Sequence, residues 1–278
     1  MAPRLALDGA RLMLETRGIA KTYGSGPKAT HALEDVSFAV EDGEFVCVVG
    51  PSGCGKTTLL KCIAGLMRPT SGEILLRGKP VVDPPDELAL VFQDYSRSLM
   101  PWSTVRNNVL LPLRHKKLSA RQRKELVEES LESVGLTRFI DHYPWQLSGG
   151  MQQRVAIARA LVTHPAILLM DEPFGALDEM TRERLNGELL SICRETGATA
   201  LFVTHSIAEA VFLSTRVVVL SPRPGRIERV VDVDLPAPRS EKTRGLPRFF
   251  ELITTVREDL AADPGLATAG DGPAASLV

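Results

Sequence analysis

Short apolar runs of four or five residues recur along the chain and are separated by stretches with helical character. Their length is typical of buried strands and is far below the ~20 apolar residues that a membrane-spanning helix needs. These runs and two further strand candidates cover residues 45–49, 73–77, 88–92, 167–170, 200–204 and 217–220. The predicted helices cover residues 57–64, 107–109, 120–134, 151–162 and about 248–260.

The order of these elements predicts an α/β fold. Strands alternate with helices, which indicates a sheet with parallel members. Residues 94–163 contain no clear strand candidate, so we interpret this stretch as a helical insertion between two halves of the sheet. Residues 1–12 and roughly 262–278 are rich in small residues, glycine and proline, and we expect them to be disordered. The sequence contains no internal repeat.

Composition and charge exclude several classes of protein. The chain has 278 residues, of which 44% are hydrophobic and 24% charged, as is ordinary for a globular protein. Its net charge of -1 predicts no affinity for nucleic acid. Asp8, Arg11 and Glu15 interrupt any apolar core of a signal peptide. The four cysteines show no metal-type spacing and are typical of reduced thiols in the cytosol.

A phosphate-binding loop follows the strand at 45–49 directly. Gly50 and Gly55 have the spacing of the Gly-x-x-x-x-Gly-Lys-Thr motif, between a strand and a helix as that motif requires. The glycines allow backbone N–H groups to point at a β-phosphate, next to a helix N-terminus that favours anions. A plain glycine-rich turn is the alternative. The predicted nucleotide-binding residues of the loop are Gly50, Pro51, Ser52, Gly53, Cys54, Gly55, Lys56, Thr57 and Thr58.

Individual residues of the loop have different expected roles. Lys56 is expected to span the β- and γ-phosphates, Thr57 to ligate Mg²⁺, and Thr58 to lie near the α-phosphate. Cys54 is expected to be a small filler. Tyr23, about twenty residues before the loop's strand, is a candidate for stacking on adenine. A packed surface aromatic is the alternative for Tyr23.

Polar residues follow three other predicted strands and form the candidate catalytic group. Asp171 is expected to bind Mg²⁺ through a water, and Glu172 is the candidate general base. Gln93 can ligate Mg²⁺ and orient water, while His205 can reach the γ-phosphate and position the water of Glu172. Taken alone, each of these residues has a plainer alternative. Asp171 and Glu172 could be an acidic helix cap, Gln93 a surface glutamine and His205 a structural histidine.

A second glycine turn, Ser148-Gly149-Gly150, opens the helix that is predicted to begin at Met151. Its N–H groups and the helix dipole could hold phosphate in the same way as the first loop. An N-cap with a Gly-Gly hinge is the alternative. Because one loop already cradles the phosphates, the second turn has no evident use within one chain, but a second copy of the chain would supply one.

The order of these features resembles the nucleotide-binding subunit of an ATP-binding cassette (ABC) transporter. In sequence, the features are the phosphate loop, Gln93, Leu147-Ser148-Gly149-Gly150, Asp171-Glu172, Ala176-Leu177-Asp178 and His205. The resemblance covers about residues 12–262 and implies a P-loop NTPase fold. This fold has a mixed sheet core, an N-terminal antiparallel β subdomain and an inserted helical subdomain. The implied boundaries are 12–93 and 164–230 for the core, 94–163 for the helical subdomain, 231–262 for a C-terminal extension and 263–278 for a disordered tail.

The same resemblance implies hydrolysis of ATP with Mg²⁺ in a head-to-tail homodimer. The residues implied to act on the ATP of the other subunit are Ser148, Gly149, Gly150 and Met151, and Asp178 is the implied dimer contact. Smaller features, at 92–94, 99–109, 171–178 and 220–227, are similar to the nitrate/sulfonate/taurine importers. This branch implies uptake of a small solute through separate transmembrane permease subunits, fed by an extracytoplasmic solute-binding protein. It also implies a peripheral location on the cytoplasmic face of the plasma membrane.

The chain departs from the family pattern at two positions: Met151 replaces the usual glutamine, and Gly175 stands where many cassettes carry serine. Residues 95–113 are predicted to form the docking groove for permease helices, with Trp102 at the interface and an ordinary core as the alternative. The C-terminal extension could pack on its own domain or on a partner, and we expect no fused regulatory module.

Two rival functions belong to other classes. The first is a soluble ABC ATPase of translation or DNA repair, but such chains usually carry two cassettes, long coiled coils or zinc motifs. The second is an ATP-binding module without turnover, which is expected to lack the base or the metal contact, whereas Glu172, Thr57 and His205 are all present.

Overall fold

The computed structural model describes residues 11–93, 98–175 and 177–261, which form two β-sheets and a set of flanking helices. The strands are β1 Leu12–Tyr23, β2 Thr30–Glu41, β3 Phe45–Val49, β4 Ser71–Leu76, β5 Lys79–Pro80, β6 Leu88–Val91, β7 Ile167–Asp171, β8 Thr199–Val203, β9 Arg216–Leu220 and β10 Ile227–Asp232. The α-helices are α1 Lys56–Ile63, α2 Val105–Leu110, α3 Ala120–Ser133, α4 Gly149–Leu161, α5 Glu179–Thr196, α6 Ile207–Leu213 and α7 Pro247–Ala261.

The larger sheet has six strands in the order β10-β9-β3-β8-β7-β6. All neighbours are parallel except β10, which runs antiparallel to β9. The sheet is covered on both faces, because alternate residues of β3 belong to different cores: Val46 and Val48 face one, and Phe45, Cys47 and Val49 face the other. This explains the continuous apolar runs in the sequence and confirms the predicted mixed α/β fold.

The smaller sheet is antiparallel, in the order β2-β1-β4-β5, and packs with α1 on one face of the larger sheet. The apolar pattern alone did not reveal β1 and β2, although the family resemblance implied this sheet. Gly18 interrupts the alternation of β1 with a φ of 58°, and the pairing register shifts around it. Gly72 of β4 approaches the same bulge so closely that a Cβ would lie 2.3 Å from the carbonyl oxygen of Gly18.

Helices occupy the described part of the predicted insertion, between residues 98 and 161. Ser119 begins α3 with a capping box, in which its hydroxyl accepts from the Gln122 N–H and the Gln122 side chain accepts from the Ser119 N–H. The helix expected to begin at Met151 begins at Gly149, because Ser148 is its N-cap. The division of the chain into subdomains remains a prediction.

Other predicted elements differ from the structure by one or two residues at their ends. The difference matters most for β6, which ends at Val91 and not at residue 92, so that Gln93 lies two residues beyond the strand. The strand β10 continues to Asp232, just past the expected start of the C-terminal extension at 231. The predicted tail at 263–278 and the first ten residues lie outside the described residues.

The C-terminal helix α7 packs on its own chain. Phe249, Leu252 and Val256 are buried in the core on the helical face of the larger sheet. Before this helix, Arg239 Nη1 donates to the carbonyls of Phe212 and Ser214, at 2.9 and 2.6 Å, where α6 ends. A cation at a helix C-terminus stabilises the helix, so the extension holds α6 in place. No helix in the described ranges has the length and apolar content needed to cross a membrane.

Candidate active site

The phosphate loop connects the buried central strand β3 to α1. Gly53 and Gly55 adopt φ values of 78° and 108°, which glycine tolerates and other residues rarely adopt. Lys56 Nζ donates to the carbonyls of Gly50 and Pro51 at 2.8 and 3.0 Å, and the residue is 7% exposed. Within the described ranges no carboxylate forms an ion pair with Lys56, although its charge acts on the Asp171 carboxyl and lowers the pKa of that group.

Cys54 is buried inside the loop, as the filler role predicts. A Cβ on Gly50 would lie only 2.7 Å from Cys54 Sγ and 3.1 Å from the Leu220 carbonyl oxygen, so this corner has no room for a larger residue. Burial raises the pKa of the Cys54 thiol above its ordinary value. The thiol is therefore protonated at neutral pH and a poor nucleophile.

The two metal-ligand candidates nearest the loop contact each other. The Thr57 side chain forms a hydrogen bond with Asp171, the last residue of β7. Burial raises the pKa of the Asp171 carboxyl, and the charge of Glu172 raises it further, while the Thr57 bond opposes both. A buried carboxylate beside a hydroxyl is a donor set that suits Mg²⁺, which usually combines one or two carboxylates with substrate phosphates.

The three catalytic candidates meet at the carboxyl ends of neighbouring parallel strands. Glu172 follows β7 with a φ of 43°, a strained value for a residue other than glycine, and its N–H donates to the Val203 carbonyl at 2.8 Å. Its Oε2 lies 2.9 Å from His205 Nδ1 and accepts from Gln93 Nε2 at 3.4 Å. The side chain of Glu172 is 17% exposed and that of His205 is 53% exposed. The sequence prediction that these residues converge agrees with this geometry, while their roles remain predictions.

A buried polar network supports the His205 segment, and sequence reasoning missed it. Glu209 Oε2 accepts from Thr204 Oγ1 at 2.6 Å, and Glu209 Oε1 accepts from Asn186 Nδ2 of α5 at 3.3 Å. Thr204 Oγ1 in turn accepts from the Ser206 N–H at 3.0 Å. The Ser-x-x-Glu spacing of Ser206 and Glu209 is the signal of a helix start that was available in the sequence. The link to Asn186 had no such signal.

The second glycine turn forms the start of α4. The Ser148 hydroxyl accepts from the Met151 N–H at 3.4 Å, so the residue is a true N-cap. Gly150 is buried against α5, where a Cβ would meet Thr181 Cγ2 at 3.3 Å. Ser148 and Gly149 are exposed. Across the described ranges, no hydrogen bond or ion pair joins this turn to the phosphate loop.

The predicted dimer contact, Asp178, is the N-cap of α5. Its Oδ1 accepts from the Thr181 N–H at 3.0 Å, and backbone hydrogen bonding from Thr181 lowers the pKa of the Asp178 carboxyl. Ala176, two residues earlier, lies outside the described residues. Gly175, the second departure from the family pattern, is close to the base candidate, since a Cβ there would lie 3.8 Å from Glu172 Oε2.

Tyr23 lies at the end of β1, next to the helix that follows the phosphate loop. Its hydroxyl lies 3.1 Å from Thr58 Oγ1 and donates to Met67 Sδ at 3.2 Å. The residue is 41% exposed, so part of its surface is available to a ligand. The stacking role remains a prediction.

The predicted docking segment divides into core and surface. Leu99 is buried at 3% exposure, whereas Trp102 is 76% exposed. A cleft of about 340 Å³ lies between β6 and α4 and includes Phe92, Pro112 and Ala156 in its lining. Asp94 and Tyr95, at the start of the segment, lie outside the described residues.

The fold and this site together define a P-loop nucleoside triphosphatase. A central parallel strand delivers a glycine loop with a buried lysine, and the next strands deliver a carboxylate pair, an amide and an imidazole to the same edge. The comparison with protein families narrows the class. The ABC transporter family matches residues 33–175, and the chain belongs to this family.

Named relatives agree with the resemblance to nitrate and sulfonate importers. The nitrate import ATP-binding protein NrtD of a Synechocystis species is 48% identical over 244 residues, covering 86% of this chain and 91% of its own length. The aliphatic sulfonates import ATP-binding protein SsuB of Bacillus cereus is 45% identical over 236 residues, covering 85% of this chain and 92% of its own length. An uncharacterized ABC transporter ATP-binding protein of Methanocaldococcus jannaschii is 46% identical over 252 residues, covering 91% of this chain and 94% of its own length.

Solved structures confirm the fold. An ATP-binding cassette solved as a dimer in a post-hydrolysis state, bound to ADP and Pi, has a TM-score of 0.68 and 37% identity, covering 80% of this chain and 99% of its own. A component of the cbiONQ ABC transporter complex from Clostridium perfringens has a TM-score of 0.74 and 26% identity, covering 90% of this chain and 95% of its own. The chain is therefore an ATP-binding protein and ATPase of the ABC transporter family.

Proposed function

We propose that this ATPase powers import of a small solute, and that two copies assemble head to tail around two Mg²⁺-bound ATP molecules. The observation that carries the dimer is the exposed turn at Ser148 and Gly149. It offers helix N–H groups and a hydroxyl to an anion, yet it has no bond to the phosphate loop of its own chain. In a head-to-tail pair, the turn of one chain lies over the nucleotide of the other.

In this proposal the phosphate loop holds the nucleotide and Lys56 compensates phosphate charge. When Mg²⁺ is bound, it neutralises charge on the phosphates, held by Thr57 and, through water, by Asp171, with Gln93 as a further ligand. These oxygens fit the ion, since the hydroxyl and carboxylate already contact each other. Tyr23 is assigned to the adenine, next to Thr58.

Glu172 is assigned to accept the proton of the attacking water through its carboxylate. His205, 2.9 Å from the carboxylate, holds it in place and reaches toward the γ-phosphate. Gln93 contacts the same oxygen at 3.4 Å, so a structural change at the active site can pass through Gln93 to the neighbouring docking segment. The pairing of the proposed base Glu172 with His205 disfavours the rival function of an ATP-binding module without turnover.

Complementation between two inactive variants tests whether the phosphate loop of one chain and the Ser148 turn of the other form one site. Lys56→Ala removes the phosphate grip, and Ser148→Arg blocks the exposed turn. In a mixed dimer one site carries both defects and the other carries none, whereas each pure variant has two defective sites. Random pairing gives about a quarter of the wild-type number of intact sites. ATPase activity of the mixture well above the sum of the separate variants supports the proposal, and strictly additive activity refutes the head-to-tail arrangement.

The import role rests on the relatives' names and on the exposed docking region around Trp102 and the cleft beside β6. We assign the subunit to the cytoplasmic face of the plasma membrane, bound to separate permease subunits, with an extracytoplasmic solute-binding protein that delivers cargo. Nitrate, a sulfonate, taurine or a related solute is the proposed cargo class.

Growth of a deletion strain tests the import role. Nitrate is offered as the only nitrogen source, or an alkanesulfonate or taurine as the only sulfur source. Wild-type protein should restore growth on one of them and Lys56→Ala should not. Equal growth with both proteins on every source would overturn the import role.

A further inference from the structure

The loop at residues 221–226, which joins β9 to β10, is packed directly against the phosphate loop. Arg223 Nε donates to the carbonyl oxygen of Gly53 at 3.2 Å, although the two residues are 170 positions apart. Gly225 is buried on the neighbouring peptide, where a Cβ would lie 2.2 Å from the Cys54 carbonyl oxygen. Only glycine allows this approach of two backbones.

This loop is itself held in a fixed shape. The Ser221 N–H donates to the Arg226 carbonyl at 2.9 Å, and the Arg226 N–H donates to the Ser221 hydroxyl at 3.0 Å. On its outer side the loop is tied to β2, because the Gly225 N–H donates to the Ala32 carbonyl and the Glu34 N–H donates to the Gly225 carbonyl, both at 3.0 Å. Arg223 is therefore presented to the phosphate loop from an anchored base.

The peptide that Arg223 contacts has a phosphate-facing side. The Gly53 carbonyl and the Cys54 N–H belong to one planar trans peptide, so they point in opposite directions. The carbonyl points out to Arg223, and the Cys54 N–H points into the loop, where it donates to the Pro51 carbonyl at a long 3.3 Å. Fixing the carbonyl from outside thus fixes an inward N–H of the kind that binds phosphate.

We propose that Arg223 is a positioning residue for nucleotide binding, which pre-organises the phosphate loop by holding the Gly53–Cys54 peptide. The inference rests on the proposed function of residues 50–58 as the nucleotide loop. Arg223 acts before chemistry, so its loss weakens ATP binding more than it slows turnover. Pre-organised donors bind more tightly because less conformational freedom is lost on binding.

The chain offers a matched control in the same loop. Arg226 is also exposed, but its guanidinium pairs with Glu34 at 2.8 Å and not with the phosphate loop. Arg223→Gln and Arg226→Gln therefore remove the same charge from the same loop, and only the first removes the bond to Gly53. Lys56→Ala serves as the control for the nucleotide loop itself.

The test measures the Kd for Mg-ATP, kcat, and hydrogen exchange of the peptide covering 50–58 in nucleotide-free protein. Arg223→Gln should raise Kd about five-fold and speed exchange of this peptide, with kcat within about two-fold of wild type. Arg226→Gln should match wild type in all three. If Arg223→Gln matches Arg226→Gln while Lys56→Ala loses binding, the Arg223 inference is overturned alone. If Lys56→Ala keeps wild-type affinity, the proposed nucleotide loop is wrong.

Discussion

The substitution Asp171→Asn should stabilise the nucleotide-free protein although it removes a carboxylate that we propose binds Mg²⁺. Asp171 is 5% exposed at the end of β7, and its carboxylate has lost most of its water. Burial raises its pKa, the charge of Glu172 adds to this, and the Thr57 hydrogen bond offsets only part. Asparagine has the same shape, can accept the same hydrogen bond and carries no charge.

The sign of the change in stability, and its size per unit of pKa shift, follow from proton linkage. A carboxyl whose pKa is raised on folding contributes stability below its unfolded pKa, near 3.8, and loses it as pH rises through the folded value. At pH 7 the charged form is therefore a net cost to the wild type. Each unit by which folding raises the pKa of Asp171 is worth about 1.4 kcal/mol at pH 7, so removal of the charge should raise the free energy of unfolding. For a domain of this size, each kcal/mol gained raises the Tm by about 2–4 °C.

Thermal unfolding of both proteins from pH 4 to pH 8, with and without Mg-ATP, checks this prediction. Without nucleotide, the Asn variant should melt higher at pH 7, and its advantage should shrink toward pH 4. With Mg-ATP, the wild type should gain more than the variant, because only the wild type retains the carboxylate that is proposed to bind Mg²⁺. A variant that melts lower at pH 7, or whose advantage grows on acidification, would show that the buried Asp171 charge does not destabilise the fold.

Three further predictions concern catalysis, coupling and stability. His205→Ala should lower kcat by about 10²- to 10³-fold with ATP binding nearly unchanged, because it frees the Glu172 carboxylate; a steady-state assay that finds normal kcat contradicts the pairing. Trp102→Ala should leave isolated ATPase activity intact but weaken stimulation by the permease, and normal stimulation in proteoliposomes argues against the docking segment. Leu252→Ala should cost about 2–5 kcal/mol in denaturant unfolding, whereas Phe250→Ala, at 57% exposure, should stay within about 0.5 kcal/mol; equal effects would show that α7 is not packed as described.

The sequence revealed the parts of the fold that follow simple periodicity. The strands β3 and β7 are buried on both faces, so every residue of β3 and the first four of β7 are apolar, and both strands are visible from composition alone. By contrast, β1 was hidden by the bulge at Gly18, and the first turn of α4 was hidden by two glycines with low helix propensity. In both cases tertiary contacts decide the structure.

The convergence of Gln93, Glu172 and His205 could be predicted, because the carboxyl ends of parallel strands meet at one edge of a sheet. The sequence predicts no role for Arg223 and, apart from the helix start at Ser206 and Glu209, none for the Glu209 carboxylate. Arg223 contacts a carbonyl 170 residues away, and Glu209 contacts Asn186 on another helix. Such long-range polar contacts leave no local pattern, even where the segment itself resembles a family motif.

We propose that ATP completes a site shared by two chains, and the variant Glu172→Gln probes this shared site with a single change. Glutamine keeps the shape of the side chain but cannot accept the proton of water, so ATP should bind without being hydrolysed. The variant's mass in solution is measured by light scattering with saturating Mg-ATP, with ADP and without nucleotide. A shared site predicts a dimer with Mg-ATP and a smaller dimer fraction with ADP or no nucleotide. A variant that binds Mg-ATP yet remains monomeric would rule out a site shared by two chains.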